Sequence, residues 1–499
     1  MSALVGLSPL FRAFPFRDPP ELRLRPLEGT TKHGVRGVLN MLENQEPKSL
    51  SRRDFLKTSA AASAAVAALG APAIINSQAL QDPVVYGFIG AGRQGNFHLK
   101  KLSVNKMGRC AVICDIYPPN LEQGVKTIGS NPDKEPQDYR KVLDRKDIDA
   151  VFIVTPYHLH VPMVLDALSA GKHVFVEKVM MKEEEQIPKV QEAAQAHPKQ
   201  VLQVGLQRRY SAIYNVAIQM VHNGALGKVQ FIRAQWHRNG SWRNPIKDPA
   251  FDRILNWRLY REYSGGLMAE LGSHQVDVAD WAYQSEPLSV MGVGGLDYWK
   301  DDRDIYDNVS VVFEYSEGRK FVFTSICNNA FLDFSETIMG DEGTIEITLG
   351  LNSAKAAFYP EQKAPDAPTN LVKTANVQEQ NWWAGATVRN RGRKIGVPIL
   401  PNAPKNTPSF VEKEIMYAKK WLTEMGVLEV EKDRDAIAVE EEHFFRCIRE
   451  GKKPIANVEI GAADSRSVIY ANRAMDMKQK VFWPGKTEVP ASSSEPKRV

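Results

Sequence analysis

Four residues in two distant stretches have side chains that could move a proton. Lys178 follows an apolar run, 173–176, that predicts a buried strand. Glu270, His274 and Asp277 are spaced so that an α-helix would place all three on one face. A histidine can accept a proton from a hydroxyl near neutral pH, and a nearby ammonium can stabilise the alkoxide that forms. These residues predict chemistry at a carbinol; a solvated lysine and a buried structural histidine are the alternatives.

A glycine-rich turn near residue 90 has the pattern of a dinucleotide-binding site. An apolar run from Val84 predicts a strand, and the glycines stand where a helix should begin. Gly90 would permit the tight turn, Gly92 would let a pyrophosphate approach the backbone, and Gly95 would let the helix pack on the strand. A glycine-rich loop of purely structural use is the alternative. The predicted cofactor contacts at this turn are Gly90, Gly92, Arg93, Gln94 and Gly95.

An acidic residue at the end of the next apolar run supports this prediction. Asp115 follows the run 111–114 and lies about 20 residues beyond the glycines, where a carboxylate can bind the ribose hydroxyls. Such a carboxylate repels a 2′-phosphate, and the residues that follow it, Ile116 and Tyr117, bring no compensating cation. We therefore predict NAD as the cofactor, with NADP less favoured.

The order of apolar and amphipathic segments predicts an α/β fold in two domains. Up to residue 205, strand-like runs alternate with helical stretches, as in a Rossmann domain with a parallel sheet. Beyond residue 210 the strands are longer and two-faced, which predicts a large, mostly antiparallel open sheet with one face free for a partner. The segment 350–408 is expected to be irregular, with helices again over 410–425, 433–450 and 461–477.

The predicted limits of the parts follow from these patterns. They are a leader over 1–79, an NAD(P)-binding Rossmann domain over 82–208, a C-terminal α+β domain for substrate binding and oligomerisation over 209–485, and a disordered tail over 486–499. Ligands bind beyond the carboxyl ends of parallel strands, where Asp115, Thr155 and Lys178 are expected.

Several motifs in this order resemble the Gfo/Idh/MocA oxidoreductase family, named for glucose–fructose oxidoreductase, inositol dehydrogenase and a rhizopine-catabolism protein. The similarity extends from Val84 to about residue 484. The motifs are the glycine turn, the strand ending at Asp115, Thr155-Pro156 with His160, Glu177-Lys178, the glycine pair before His274, and the run 443–454.

The resemblance implies roles for particular residues. Lys178 matches the catalytic lysine of the family and His274 its catalytic histidine, and Glu270 stands where the family usually has aspartate. Glu270 would then orient His274, or would be an ordinary helix carboxylate. The family usually has proline where this chain has Val179. The cofactor contacts that the resemblance adds are Thr155, Pro156, His160, Glu177 and Lys178.

Aromatic side chains interleaved with polar donors predict a sugar site in the second domain. Aromatic faces stack on sugar rings, and fixed donors bind the hydroxyls. Arg243 and Arg258 could also bind a carboxylate, so an acidic sugar is an open alternative, as is an ordinary aromatic core. The predicted substrate residues are Arg209, Tyr210, His237, Trp242, Arg243, Trp257, Arg258 and Asp277.

The leader resembles a twin-arginine export signal. Arg52 and Arg53 precede an alanine-rich run, 58–69, and cleavage is expected after Ala73 or Ala79. The run is too short and too weakly apolar for a membrane span, so we predict no stable span, with an uncleaved anchor as the alternative. The predicted location is periplasmic or otherwise exported, and the twin-arginine machinery is a predicted partner.

The first 40 residues are predicted to be dispensable or disordered, since Met41 would start a signal of ordinary length. The formal charge of the chain is +5, of which residues 1–79 carry +4, leaving a nearly neutral body that gives no reason to expect nucleic acid as a partner. No metal site is predicted. The four cysteines are expected to be buried free thiols: Cys110, Cys114, Cys327 and Cys447.

Export constrains the function, because no NAD pool outside the cytoplasm replaces a lost cofactor. We predict an exported oxidoreductase that acts on the CH–OH group of a sugar or sugar derivative with tightly bound NAD, as a homodimer or homotetramer. One alternative is a redox-neutral glycosidase that works by transient oxidation, elimination, hydration and reduction. A further alternative is a cofactor-binding protein without turnover.

Overall fold

The structure is a computed structural model that describes residues 82–349, 354–361, 397–398 and 434–486. The predictions for the leader, for the helix over 410–425 and for the tail beyond residue 486 concern residues outside these ranges.

A parallel sheet with the strand order β3-β2-β1-β4-β5-β6 forms the first part of the fold. The order reverses between β1 and β4, and this reversal opens a crevice at the carboxyl ends of the strands. The strands are β1 (Val84–Ile89), β2 (Gly108–Cys114), β3 (Asp133–Glu135), β4 (Ala150–Ile153), β5 (His173–Glu177) and β6 (Leu202–Gly205). The helices that connect them are α1 (Arg93–Leu102), α2 (Pro118–Ile128), α3 (Tyr139–Leu143), α4 (His160–Ser169) and α5 (Gln186–Ala196).

A nine-stranded sheet with the order β14-β13-β12-β11-β7-β10-β9-β8-β15 forms the second part. Only β7 and β10 pair in parallel among its described strands. The strands are β7 (Val229–Trp236), β8 (Ser289–Gly295), β9 (Asn308–Glu314), β10 (Lys320–Ile326), β11 (Phe334–Gly340), β12 (Gly343–Leu349), β13 (Ala354–Pro360), β14 (Val397–Pro398) and β15 (Val481–Phe482). The described helices of this part are α6 (Ala212–His222), α7 (Asp252–Leu255), a π-helical turn (Met268–Gly272), α8 (Ser273–Tyr283), α9 (Ala436–Glu450) and α10 (Val458–Met477). The predicted Rossmann sheet and mostly antiparallel second sheet are both confirmed.

The segment expected to be irregular contains a regular strand. β13 pairs antiparallel with β12 over its whole length and lies within 350–408. Its sequence, AKAAFYP, has little apolar alternation, and the partner strand supplies the hydrogen bonds that hold it in the sheet.

The alternation of side chains gives the second sheet two different faces. Ile232 and Ala234 are buried and belong to the core cluster that includes residues of α8, whereas Arg233, between them, is exposed. On the outer face, Met291 and Val293 are 50% and 68% exposed. One face is therefore packed by helices and the other carries exposed apolar side chains.

Helix α9 follows the second sheet in the chain but packs on the first. Phe444 and Phe445 are fully buried, and both rings contact the ring of Phe152 on β4. Gly108 is one of the sites of this packing, because a Cβ there would lie 2.3 Å from Phe445. A late segment of the chain thus completes the packing of the first sheet.

The four cysteines are free and buried, as predicted. Among the described residues, no helix combines the length and the apolar character that a membrane crossing needs.

Candidate active site

The glycine turn between β1 and α1 has room for a phosphate at one position. Gly90 has φ of +96°, and a Cβ at Gly95 would lie 2.1 Å from the Gly90 carbonyl oxygen, so neither position accepts a side chain. At Gly92 the atom nearest to where a Cβ would stand, the Asn120 amide nitrogen, is 3.8 Å away. The first turn of α1 carries no acidic residue, and no side chain caps it. The free N–H groups and open space fit a dinucleotide pyrophosphate.

Asp115 lies at the end of β2 and is tied to the same turn. Its Oδ2 accepts a hydrogen bond from the Ala91 N–H at 2.7 Å, and its Oδ1 accepts one from the Tyr117 N–H at 2.8 Å. Burial raises the pKa of this carboxyl, although the backbone hydrogen bonds oppose the shift. The remaining lone pairs can accept ribose hydroxyls, so the position also fits the adenosine side of a dinucleotide.

His160 joins the loops that follow β4 and β5. Its Nδ1 lies 2.8 Å from the Val179 carbonyl oxygen and its Nε2 3.0 Å from that of Thr155. The ring is 2% exposed, and Pro156 precedes the short helical turn that leads to it. His160 thus fixes the loop that carries Thr155 and Pro156 to the loop that follows β5.

Glu177 belongs to a buried ionic cluster beneath the glycine turn. Its Oε1 accepts hydrogen bonds from Gln94 at 2.9 Å and from His98 at 2.8 Å, and the other nitrogen of His98 contacts Glu441 Oε1 at 2.9 Å. Burial alone would lower the pKa of His98, but the two carboxylates outweigh it and raise the pKa to about 10. The cationic imidazole therefore bridges α1, β5 and α9.

Lys178 is held by the π-helical turn that precedes α8. Its Nζ donates to the carbonyl oxygens of Ala269 at 3.1 Å and Glu270 at 2.9 Å. The peptide bond to Val179, where the family usually has proline, is cis. The two hydrogen bonds of Nζ fix this lysine, which belongs to the first part of the fold, to the turn that leads into the helix of His274.

His274 is buried and lies in a cationic environment. Its Nδ1 has no hydrogen-bond partner among the described residues, and the ring is 6% exposed. Burial, together with the positive charges of Lys178, Arg208 and Arg238, holds the pKa of His274 well below its usual value. The imidazole is therefore neutral at physiological pH and can accept a proton.

Glu270 pairs with a different residue from the one we expected. Its Oε2 accepts a hydrogen bond from Arg258 Nε at 2.7 Å, and no hydrogen bond joins it to His274 in the described structure. Burial would raise the pKa of Glu270, but Arg258 and Lys178 outweigh it and lower the pKa. Because the chain is π-helical over 268–272, the four-residue spacing does not align Glu270 with His274 as an α-helix would.

Several predicted substrate residues are bound to other protein groups. Arg209 and Asp277 are buried and form a bidentate ion pair, with Arg209 Nη2 2.6 Å from Asp277 Oδ1. The hydroxyl of Tyr210, also buried, accepts a hydrogen bond from the Ala456 N–H. Arg243 is bound to the carboxylates of Asp301 and Asp302.

The remaining predicted substrate residues lie on two sides of the second sheet. His237 is hydrogen-bonded to Thr324, whose side chain is on the outer face of the sheet. Trp242 and Trp257 pack on the helix-covered core, and the guanidinium of Arg258 lies 4.3 Å from the Trp257 ring centre. Of the predicted group, Trp257 and Arg258 are therefore linked to Glu270 and through it to the turn that holds Lys178.

A cluster around Trp236 contains residues that are not among the predicted substrate residues, although the aromatic stretch 236–243 was expected on the substrate side. The Trp236 ring lies 6.0 Å from His274, 5.6 Å from the Arg208 guanidinium and 4.9 Å from that of Arg238. Arg208 is ion-paired with the buried Glu336. Strand alternation places Trp236 on the inner face of β7 with Ile232 and Ala234.

A doubly wound parallel sheet with this glycine turn and a strand-end lysine, together with a second domain that presents a neutral histidine, defines an NAD(P)-dependent oxidoreductase. Two family models match the chain, "Oxidoreductase family, NAD-binding Rossmann fold" over residues 84–206 and "GFO/IDH/MocA C-terminal domain" over residues 214–346. Together they cover 256 of the 499 residues. The chain belongs to the Gfo/Idh/MocA oxidoreductase family and is an enzyme of that type. A third model, for a twin-arginine translocation signal sequence, matches residues 49–70.

Two curated relatives illustrate the range of the family. The chain is 26% identical over 244 residues to an inositol 2-dehydrogenase of Rhizobium meliloti (strain 1021), covering 48% of this chain and 68% of the relative. It is 25% identical over 235 residues to a glycosyl hydrolase family 109 protein of Shewanella pealeana, covering 42% of this chain and half of the relative.

Solved structures share the fold. An aldose-aldose oxidoreductase from Caulobacter crescentus in complex with glycerol has a TM-score of 0.58 at 19% identity, covering 80% of this chain and all of the other. A levoglucosan dehydrogenase in complex with NADH and levoglucosan has a TM-score of 0.58 at 18% identity, covering 81% of this chain and all of the other.

Proposed function

We propose that this enzyme oxidises a CH–OH group of a sugar or sugar derivative, with His274 as the base and Lys178 as the cation beside the reacting oxygen. The observation that carries the proposal is the fixed lysine next to a buried, neutral histidine with an unpartnered Nδ1 among the described residues. The relatives named for inositol, aldose and levoglucosan support a polyhydroxylated substrate.

The proposed roles follow from the charge that develops in the reaction. Bound at the glycine turn, a nicotinamide dinucleotide supplies the hydride acceptor. His274 takes the hydroxyl proton as the C–H bond breaks, and the Lys178 ammonium stabilises the partial negative charge on the oxygen. Because Lys178 is anchored to two backbone carbonyls, it needs little reorganisation to do so.

We propose NAD rather than NADP as this cofactor. The carboxylate of Asp115 is fixed at the turn by two backbone N–H groups, and a 2′-phosphate placed beside it would be repelled. Glycines at positions 90, 92 and 95 and the loop residues Thr155 and Pro156 complete the proposed site.

We further propose that the enzyme is exported by the twin-arginine route to the periplasm with its cofactor already bound. The signal model over residues 49–70 supports this. Such an enzyme must reoxidise the cofactor in place, by reducing a second sugar or carbonyl compound. Homodimers or homotetramers through the outer face of the second sheet, where Met291 and Val293 are exposed, belong to the same proposal.

The test begins with the purified, processed enzyme and no added cofactor. Mass spectrometry of the small molecules released on denaturation should identify NAD, and a panel of sugars supplied in donor–acceptor pairs should show coupled oxidation and reduction. Lys178→Ala should lower turnover about 10²- to 10⁴-fold while the cofactor stays bound. Lys189→Ala, an exposed lysine on α5, is the matched control. Unchanged turnover in Lys178→Ala would refute the assignment.

The relative in glycosyl hydrolase family 109 supports a second candidate, a redox-neutral glycosidase. That reaction uses the same base and cation but returns the hydride to the same substrate after elimination and hydration. Incubation with glycosides in deuterated water separates the two functions, because the glycosidase would release the aglycone and incorporate deuterium without an acceptor sugar. The oxidoreductase would do neither.

A further inference from the structure

Arg238 is a cation near the proposed base that forms no ion pair within the described structure. Its Nε is buried and has no hydrogen-bond partner among the described residues. Its guanidinium lies over Trp236, at 4.9 Å from the ring centre, and the same ring lies 6.0 Å from His274. A buried guanidinium nitrogen without an acceptor costs free energy, and such a group is usually matched by a ligand, an ion or water.

The cations around His274 are bound in different ways. Three cations act on its pKa, namely Lys178, Arg208 and Arg238. Arg208 is paired with Glu336, whereas Lys178 donates to carbonyl oxygens and Arg238 has no carboxylate bound to it in the described structure. Neither Lys178 nor Arg238 therefore forms an ion pair within the described structure, although the carboxylates of Glu270 and Asp333 are near enough to act on them.

We propose that the substrate is a sugar acid and that Arg238 binds its carboxylate while His274 and Lys178 act on a hydroxyl. This inference rests on the proposed function and names its substrate class. The paired N–H groups of a planar guanidinium match the two oxygens of a carboxylate, and the Trp236 ring, 4.9 Å from the Arg238 guanidinium, helps to position this one. Arg243, the other arginine considered for a carboxylate, is bound to Asp301 and Asp302 instead.

The cofactor is the other anion that Arg238 could meet. Burial lowers the pKa of Arg238, and the positive charge of Arg93 adds to this shift while Asp333 opposes it. Arg93 stands at the start of α1, where the pyrophosphate would lie. The position over Trp236 favours the substrate, because that ring also borders His274, the residue that must contact the reacting hydroxyl. The experiment has to distinguish these two anions.

The test compares neutral sugars with their acids on the enzyme as purified with its bound cofactor. D-glucose with D-glucuronate and D-galactose with D-galacturonate are matched pairs that differ in one carboxylate. We expect the acid to bind about 10- to 100-fold more tightly than its parent sugar, by titration calorimetry, and to be turned over in preference. Arg238→Gln should abolish this preference, and Arg238→Lys should keep part of it. Arg233→Gln, on the outer face of β7, the strand that precedes Arg238, should leave it unchanged.

Three results would overturn the proposal. If the enzyme acts on the neutral sugars and does not prefer the acids, the proposal fails while the proposed function stands. If Arg238→Gln releases dinucleotide, measured by mass spectrometry of the denatured protein, and weakens both members of each pair equally, Arg238 is a cofactor residue. If neither member of any pair binds or reacts, the proposal and the proposed function fail together.

Discussion

Replacing His98 by glutamine should destabilise the enzyme strongly, because two buried carboxylates would lose their shared cation. His98 is fully buried and contacts Glu177 at 2.8 Å and Glu441 at 2.9 Å. Glutamine is neutral and can donate to one carboxylate at a time. Removing one partner of a buried ion pair costs about 3–5 kcal/mol, and we expect a loss of that size at about pH 7.5.

A second substitution tests whether the loss comes from charge. Burial raises the pKa of Glu441 to about 7, although His98 opposes the shift, so the surroundings already disfavour a charge on this carboxylate. Glu441→Gln alone should cost about 1 kcal/mol, since His98 keeps Glu177. In the double variant, part of the loss in His98→Gln should be recovered, by about 1–3 kcal/mol.

Guanidinium unfolding followed by circular dichroism measures all four proteins. A loss below about 1 kcal/mol in His98→Gln, or losses that simply add in the double variant, would show that the cluster is not ionic and would refute the reasoning. His98→Gln should also lower turnover, because Glu177 accepts the Lys178 N–H at 3.0 Å and loses its own anchor.

Two further predictions concern the proposed site. Burial and three cations hold the pKa of His274 below its usual value. We therefore expect kcat/KM to stay constant from about pH 8 to below about pH 6.5 and to fall only in more acidic buffer. A fall in kcat/KM that already begins above about pH 6.5 would contradict this. Gly92→Ala should fold normally but purify with little bound dinucleotide. Gly95→Ala should be destabilised, since its Cβ would meet the Gly90 carbonyl oxygen. If the two variants have similar melting temperatures and similar cofactor contents, this prediction is wrong.

Local patterns predicted the architecture well. The glycine turn, the apolar run of β4 and the switch to two-faced strands each depend on short stretches of sequence, and the parallel and antiparallel sheets follow from them. Elements that depend on distant partners were missed. β13 is a strand because β12 pairs with it. Helix α2 contains Gly124 in its middle, and only the prolines at its start and Gly129 after its end mark it as a helix in the sequence.

The residue types of the candidate site could be predicted from the sequence, but many of the contacts between those residues could not. Lys178 and His274 were found because their chemistry is recognisable in a strand-end and helix context. Asp277 was placed on the His274 face by spacing, but Arg209, distant in sequence, pairs with it in the core. Arg238 lies in the aromatic stretch 236–243 but was not among the predicted substrate residues, because its sequence neighbours do not show that its Nε would have no hydrogen-bond partner among the described residues.

The buried cluster of His98 also bears on how a cofactor could be carried through export. It ties α1, whose first turn would hold the pyrophosphate, to Glu177 beside Lys178 and to Glu441 on α9. Because α9 follows nearly the whole second sheet in the chain, the support beneath the dinucleotide is complete only when synthesis has passed residue 441. If the enzyme is exported with its cofactor bound, as we propose, tight binding requires a nearly complete fold before export. A route that exports folded proteins permits this, whereas a route that exports unfolded chains does not.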